Sequence, residues 1–349
     1  MSRLKLIGAI ALSLALVGGL ALSLLSDGET TSSGTATTPD ARSKFFGITQ
    51  GIRLDAQDLQ TMAATGVGED RVQFIWGSAQ PARGTFNWAP TDALVGSLAA
   101  HGIRAVPFIW GSPSWVAPTT ARPPLDGVDA VQAWEDFLRA AVVRYGPGGA
   151  YWATVYRQQY GANAKPQPIQ SWQIWNEPNL KKYFAPSPSV EEYAQLLRIS
   201  HEAIRKEDPE AQVVVAGMPG YGNRNAWDFL DRLYSMPGIR NAFDAVALHP
   251  YAANVDQLRL GVEKVREVIK DNGDQSTPMW ITELGWGSGP PDRFGLNKGL
   301  DGQRQLLSDS FKLILRNRKA WNVQRVFWFD WRDPANPDVV RCSFCASAG

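Results

Sequence analysis

The sequence predicts a parallel (β/α)₈ barrel, and three observations lead to that fold class. From Lys44 onward, short apolar runs alternate eight times with stretches of helical period. The length from Lys44 to Gly349 is typical of one such barrel with long loops. The turn Gly47–Gly51 lacks the glycine spacing of a phosphate-binding turn, which disfavours a doubly wound open sheet.

The predicted strands are short segments rich in β-branched, aromatic and other apolar residues. The fourth ends abruptly at Pro178, which cannot donate a backbone hydrogen bond. The eight predicted strands are Lys44–Ile48, Arg71–Trp76, Ile103–Trp110, the first half of Ser171–Asn179, Gln212–Ala216, Asp244–Leu248, Met279–Thr282 and Arg325–Phe329.

Seven helices are predicted between these strands, and several end at a glycine or a proline. The residues after Trp331 have little helical periodicity, so the eighth helix is expected to be short or missing. The connection Gly146–Gln170 is long enough to be a surface excursion or a functional lining. The predicted helices are Asp55–Thr65, Thr91–His101, Ala130–Tyr145, Val190–Glu207, Ala226–Ser235, Val255–Lys270 and Gly302–Arg318.

The N-terminal region predicts export. Arg3 and Lys5 precede the apolar run Leu6–Leu25, so residues 1–25 are either a cleaved signal peptide or an uncleaved membrane anchor. Residues 26–43 are rich in Ser, Thr and Gly and are predicted to form a flexible linker. We therefore expect the barrel domain, residues 44–349, to be extracellular or attached to the cell surface.

Composition excludes several classes of function. A formal net charge of +1 indicates no nucleic-acid partner. The three histidines are scattered, so no metal site is expected, and no cofactor is implied. Cys342 and Cys345 are interpreted as a structural bridge or as free thiols. The 14 tryptophans either fill the core or offer flat surfaces for sugar rings.

Two glutamates are placed at the ends of predicted strands. Glu177 lies between Asn176 and Pro178 after the fourth strand, and Glu283 follows the seventh. In a parallel barrel, both strand ends lie at the mouth where active sites are built. Glycosidic cleavage needs two carboxyl groups beside one acetal, and we predict a separation of about 5 Å, the spacing for retention of configuration.

The two motifs, Trp175–Asn179 and Ile281–Trp286, together with His249–Tyr251, resemble the retaining glycoside hydrolases of the (β/α)₈-barrel clan. That clan holds cellulases, mannanases, xylanases and β-xylosidases. Several clan members have a histidine at the end of the third strand, where this chain has Phe108–Trp110, which disfavours the cellulase-like subgroup. The loop Gly111–Trp115 and the motif His249–Tyr251 favour β-xylosidase-like relatives. The resemblance implies a β-linked oligo- or polysaccharide substrate cleaved by double displacement, and we expect a monomer.

The resemblance also implies a role for each matching residue. Glu177 would be the general acid/base with a raised pKa, and Glu283 the ionised nucleophile. Each residue also has a structural interpretation, such as helix capping, an ion pair or packing. The further substrate-binding candidates are Asn176 for the sugar 2-hydroxyl, Arg71 and Tyr251 beside the nucleophile, His249 near the acid/base, Trp331 or else Trp328 beneath the sugar, and Trp110 at the cleft.

Two alternative functions share these residues. A barrel at the cell surface that binds carbohydrate without cleaving it would also use many tryptophans. A transglycosylase would use the same glutamates and differ only in transferring the sugar to another sugar instead of water.

Overall fold

The computed structural model describes residues 44–50, 54–220 and 225–333. Its main strands are β1 (Phe46–Thr49), β2 (Glu69–Ile75), β3 (Arg104–Trp110), β4 (Ser171–Ile174), β5 (Gln212–Val215), β6 (Val246–His249), β7 (Met279–Ile281) and β8 (Val323–Phe329). They are parallel and pair in the order β5-β4-β3-β2-β1-β8-β7-β6, and a bridge between Val214 and Ala245 joins β5 to the start of β6. The short strand Met218–Pro219 continues β5 and also pairs with β6. The predicted barrel is therefore confirmed.

In the part of the chain that the structure describes, one long helix follows each of the first seven strands, and these helices surround the barrel. Local capping sets several of their starts: Ser189 and Asn254 each accept a backbone N–H in the first turn of their helices. The helices are α1 (Ala56–Ala64), α2 (Ala89–Ala100), α3 (Val128–Tyr145), α4 (Val190–Glu207), α5 (Ala226–Tyr234), α6 (Val255–Asp271) and α7 (Gly299–Trp321).

Some expectations concern segments that the structure does not describe. The predicted signal or anchor, the linker, the position of an eighth helix, and Cys342 and Cys345 all lie outside the described residues. Within residues 44–50, 54–220 and 225–333, no helix combines the length and the apolar character needed to cross a membrane.

The core has two layers, as expected for a barrel wrapped in helices. A large apolar cluster fills the space between the sheet and the helices. A second cluster of six side chains lies inside the barrel, which is therefore packed and not a pore. Its members are Val106, Val214, Ala245, Ala247, Trp280 and Phe327.

The second strand begins at Glu69, two residues before its predicted start. The first residues of this strand are polar, so a search for apolar runs does not detect its start. Glu69 is nevertheless fully buried inside the barrel. Its carboxylate lies 3.6 Å from Arg104 and 3.3 Å from Arg325. The strand ends at Ile75 because the chain turns into the short helix Trp76–Ala79.

The connection from α3 to β4 corrects a prediction. It contains the short helices Ala150–Ala153 and Val155–Tyr160, which bury Tyr151, Trp152 and Tyr156. A connection that runs from the end of a helix to the start of the next strand lies at the amino-terminal end of the barrel. That end is opposite the mouth with Glu177 and Glu283. Of its two interpretations, the functional lining is therefore wrong. The segment packs against α2 and α3, where the Tyr151 hydroxyl donates to the Asp92 carbonyl and the Trp152 indole N–H donates to the Tyr145 carbonyl, each at 2.8 Å.

Candidate active site

Glu177 and Glu283 converge at the carboxyl-terminal mouth of the barrel. Glu177 follows β4, Glu283 follows β7, and His249 ends β6. One carboxylate oxygen of each glutamate and a ring nitrogen of His249 all lie within 4.8 Å of one another. Residues from three distant parts of the sequence thus meet within reach of one small ligand.

The Glu283 carboxylate is surrounded by donors. Its Oε1 accepts from Arg71 Nη1 at 2.7 Å, and its Oε2 accepts from the Tyr251 hydroxyl at 2.8 Å. Burial alone would raise the pKa of Glu283, but the charges of His249 and Arg71 and these hydrogen bonds together hold it below the usual value. Burial raises the pKa of Tyr251, which therefore stays protonated and donates. Glu283 is held in its ionised form.

Glu177 is presented by a strained turn. Trp175 and Glu177 have positive φ values of 73° and 42°, which are uncommon for residues with a side chain. The Trp175 backbone N–H donates to the Ile109 carbonyl at 2.8 Å, and that of Glu177 to the Gly217 carbonyl at 3.1 Å. These bonds to β3 and to the end of β5 hold the turn, so the carboxyl group has a defined position.

Arg71 links the two glutamate-bearing loops. Its guanidinium donates to Glu283 and, through Nη2, to Asn176 Oδ1 at 3.0 Å. Its Nε donates to Gln173 Oε1 at 2.6 Å, and its face lies 3.9 Å from the Phe108 ring centroid. Gln173 was not predicted as a site residue. Alternation along β4 could have identified it, since Gln173 is the polar residue between Trp172 and Ile174, which both pack in the outer core.

His249 lies between the two glutamates. Its Nδ1 is 3.0 Å from Glu177 Oε1, and its Nε2 is 3.5 Å from Glu283 Oε1. The ring is fully buried and packs against Gly217, where any side chain would collide with it and with Thr282. Gly217 is thus required by close approach, a contact that the sequence alone did not reveal.

The three converging groups offer metal-ligand atoms, but their surroundings suit a cation poorly. Both oxygens of Glu283 already accept hydrogen bonds, and one of them pairs with Arg71. A divalent cation would meet the fixed positive charge of that guanidinium at short range. The arrangement favours a poised carboxylate pair over a metal site.

Two predicted aromatic residues lie at the mouth in different settings. Trp110 ends β3, half-buried, with its ring edge-on to Tyr183 at 5.4 Å between centroids. Its indole N–H is buried and has no hydrogen-bond partner among the described residues. Trp331 is buried beside α1, where its indole N–H donates to Asp58 Oδ1 at 3.2 Å.

Trp328 does not join the cluster around the glutamates. Side chains alternate along β8, and Trp328 points into the helix layer between Trp286 and Phe311, with ring centroids 6.1 and 6.2 Å away. The next residue, Phe329, points to the mouth, and its ring lies 6.5 Å from that of Tyr251. Phe329 is thus an aromatic residue beside the glutamates that the sequence interpretation missed.

The sequence and the structure were compared with those of known proteins. The profile of the family described as "Glycosyl hydrolase catalytic core" matches residues 150–343. Endo-1,4-beta-xylanase 1 of Gibberella zeae is 30% identical over 122 residues, 33% of each chain. A family 39 glycoside hydrolase from Bacteroides cellulosilyticus has a TM-score of 0.63 at 17% identity, covering 90% of this chain and 61% of its own. A monomeric β-xylosidase from Caulobacter crescentus has a TM-score of 0.60 at 18% identity, covering 88% of this chain and 64% of its own.

The chain spans about a third of the length of the curated relative that it matches and less than two thirds of either solved chain. At such low identity, the structural matches show a shared barrel fold. The family profile covers more than half of the sequence, including both glutamates. The chain therefore belongs to the glycosyl hydrolase catalytic core family, in the clan of barrel glycoside hydrolases that its motifs resemble.

Proposed function

We propose that this protein is an exported, retaining glycoside hydrolase that cleaves a β-linked glycan or glycoside. The observation that supports this most directly is the approach of the Glu177 and Glu283 oxygens to within 4.8 Å, with unequal surroundings. Retaining enzymes hold their two carboxyl groups about 5 Å apart, whereas inverting enzymes separate them by about 6.5–9.5 Å to admit water.

In the first step, Glu283 attacks the anomeric carbon while Glu177 gives its proton to the departing oxygen. The glycosidic C–O bond breaks, and a glycosyl ester of Glu283 forms. The Arg71 and Tyr251 hydrogen bonds keep Glu283 ionised and aimed before attack. Glu177 faces the other side of the same histidine, with its Oε1 3.0 Å from His249 Nδ1, and is placed to give its proton to the departing oxygen.

In the second step, the ionised Glu177 takes a proton from water, and the resulting hydroxide oxygen attacks the anomeric carbon and releases Glu283. Asn176 accepts from Arg71 through its Oδ1, so its amide N–H groups point elsewhere and can donate to the sugar 2-hydroxyl. Trp110 and Phe329 supply aromatic surface at the same mouth.

The substrate and the location are also proposals. The xylanase and β-xylosidase among the relatives make β-xylosides the first substrates to test. The basic and apolar pattern of residues 1–25 supports export, by a cleaved signal or an anchor, and a monomer is expected. Fractionation of cells and light scattering of the barrel would test the two expectations separately.

Replacement of each glutamate tests the mechanism. Glu283→Ala should lower turnover of an activated aryl glycoside by on the order of 10³-fold or more, because no covalent ester can form. Glu177→Ala should slow substrates with poor leaving groups by about 10²–10⁴-fold and activated ones far less. Added azide should yield a glycosyl azide of inverted configuration with the first variant and retained configuration with the second.

Glu202→Ala, on the exposed face of α4, is the matched control and should behave as wild type. Unchanged hydrolysis by Glu283→Ala would contradict the assignment. Binding of glycans without cleavage by the wild type would favour the carbohydrate-binding alternative. Transfer products that dominate over hydrolysis when an acceptor sugar is added would favour a transglycosylase.

A further inference from the structure

A buried glutamine of β4 connects distant parts of the barrel interior. Gln173 is 1% exposed, and its Oε1 accepts from Arg71 Nε of β2 at 2.6 Å. Its Nε2 donates to the Val215 carbonyl of β5 at 3.1 Å and to Thr282 Oγ1, which follows β7, at 3.4 Å. Because Arg71 has only donors and a carbonyl group only accepts, one orientation of the Gln173 amide satisfies both neighbours. The position of its side-chain oxygen is therefore fixed.

The guanidinium of Arg71 is shared among three side chains. Its Nη1 donates to Glu283 Oε1 at 2.7 Å, its Nη2 to Asn176 Oδ1 at 3.0 Å and its Nε to Gln173. The guanidinium is a rigid planar fork, so the direction of one N–H sets the directions of the others. The Phe108 ring centroid lies 3.9 Å from Arg71 Cζ, and this contact restrains the tilt of the fork but not its rotation in its own plane. The hydrogen bond to Gln173 opposes that rotation.

We propose that Gln173 is a positioning residue that holds Arg71 where it serves Glu283 and Asn176 at the same time. This inference rests on the proposed glycosidase function, in which Asn176 donates to the sugar 2-hydroxyl. Gln173 is too deeply buried to contact a sugar, so it acts through Arg71. Without the Gln173 oxygen, the buried Nε–H of Arg71 lacks an acceptor, and the fork turns to find another. Asn176 Oδ1 then loses its donor, and nothing keeps the amide N–H groups of Asn176 directed at the sugar.

Recognition of the 2-hydroxyl tests this role. Gln173→Met removes the acceptor at nearly the same volume. We measure kcat/KM of the full chain for the aryl β-glycoside that the wild type cleaves best, beginning with the β-xyloside, and for its 2-deoxy analogue. The wild type should prefer the 2-hydroxylated substrate by on the order of 10²-fold, and Gln173→Met should reduce this ratio about tenfold. The ratio does not depend on the folded fraction, so a merely structural role would lower both rates equally and leave the ratio unchanged.

Two further variants accompany this measurement. Gln80→Met is the matched control, because Gln80 is also buried and its Oε1 accepts one side-chain N–H, that of the Trp76 indole, at 2.7 Å. It should retain the wild-type ratio. Gln173→Asn keeps an amide inside the barrel but is one methylene shorter, so it should lower the ratio as Gln173→Met does, and it decides the question if Gln173→Met does not fold. An unchanged ratio in the folded Gln173 variants, or an equal fall in Gln80→Met, would overturn the proposal.

A second measurement does not depend on catalysis. The charged and titratable groups that face the Glu283 carboxylate are Arg71, His249, Tyr251 and Glu177. Displacement of Arg71 should raise the pKa of Glu283 by about one unit, which the ¹³C chemical shift of its carboxyl group reports against pH, with Glu283→Gln for assignment. The titration should move upward in Gln173→Met and stay in place in Gln80→Met, and no movement or a downward movement in Gln173→Met would overturn the proposal. If the wild type cleaves no aryl β-glycoside, the glycosidase proposal fails, whereas this titration still decides whether Gln173 positions Arg71.

Discussion

At the scale of single residues, the Tyr251 hydroxyl has a measurable electrostatic role. It donates to Glu283 Oε2 at 2.8 Å. Tyr251→Phe removes that donor, so the pKa of Glu283 should rise. Because the nucleophile must be ionised, the acidic limb of kcat/KM against pH should move upward by about one pH unit, as expected for one hydrogen bond to a charged group.

The matched control is Tyr234→Phe, which removes a hydroxyl bonded to Asp274 at 2.9 Å away from the mouth. Its acidic limb should coincide with that of the wild type. If the acidic limb of kcat/KM against pH does not move in Tyr251→Phe, this hydroxyl does not lower the pKa of Glu283.

Gly217 is the second residue whose replacement should be costly. A Cβ placed there would collide with the His249 ring and lie 2.6 Å from Thr282 Oγ1. His249 is fully buried and cannot move aside freely. Gly217→Ala should therefore lower the free energy of unfolding by about 1–3 kcal/mol and reduce kcat, since the histidine beside Glu177 is displaced.

Gly261→Ala provides the comparison, because a Cβ at this position in α6 meets no atom within 4 Å. It should stabilise the protein by about 0.5–1 kcal/mol, the usual gain of alanine over glycine within a helix. Chemical denaturation of both variants measures the contrast. A Gly217→Ala protein as stable and active as the wild type would show that His249 has room to shift.

At the scale of elements, the sequence could predict what depends on local pattern. Pro178 and the apolar run before Glu283 are local signals that mark the ends of two strands. Because the ends of parallel strands lie at the same mouth, both glutamates could be placed there from the sequence. The direction of a side chain depends on strand register instead. For that reason Gln173 and Phe329 were missed and Trp328 was included.

The start of α1 holds the segment that follows β8. Asp58 accepts the Asp55 backbone N–H at 3.0 Å, the Trp331 indole N–H at 3.2 Å and Arg332 Nε at 2.8 Å. Asp58→Ala removes one half of a capping box and both contacts to residues 331 and 332. We expect a loss of about 1–2 kcal/mol in the free energy of unfolding.

Asp129→Ala is the control for this loss, because it removes an exposed acidic residue from the first turn of α3, where no side chain caps the helix. Interaction with the helix dipole alone is worth about 0.3–1 kcal/mol. If the denaturation midpoint shifts equally in the two variants, the hydrogen bonds to Trp331 and Arg332 do not add to the free energy of unfolding beyond the interaction with the helix dipole.

At the scale of the whole molecule, the two ends of the barrel shift the pKa of a buried carboxylate in opposite directions. At the mouth, the charges and donors around Glu283 outweigh burial and lower its pKa. At the amino-terminal end, burial outweighs the attraction of Arg325, Arg104 and Lys44 and raises the pKa of Glu69. The mouth thus makes ionisation of its carboxylate easier, as suits a group that attacks, and the amino-terminal end makes ionisation of Glu69 harder.

This contrast predicts opposite pH dependences of stability. Glu69, with a raised pKa in the folded state, stabilises the fold at low pH, and its contribution is lost as pH rises through that folded pKa. Glu69→Gln mimics the protonated form, so its free energy of unfolding relative to the wild type should increase as pH rises from about 4 to about 8. Glu283→Gln should change in the opposite direction, because Glu283 stabilises the fold above its unfolded pKa and loses that effect as pH falls through its lowered folded value. Urea denaturation of the wild type and Glu69→Gln between about pH 4 and about pH 8, and of the wild type and Glu283→Gln between about pH 2 and about pH 5, measures the two differences. Parallel curves in both ranges would refute the opposed tuning of the two ends.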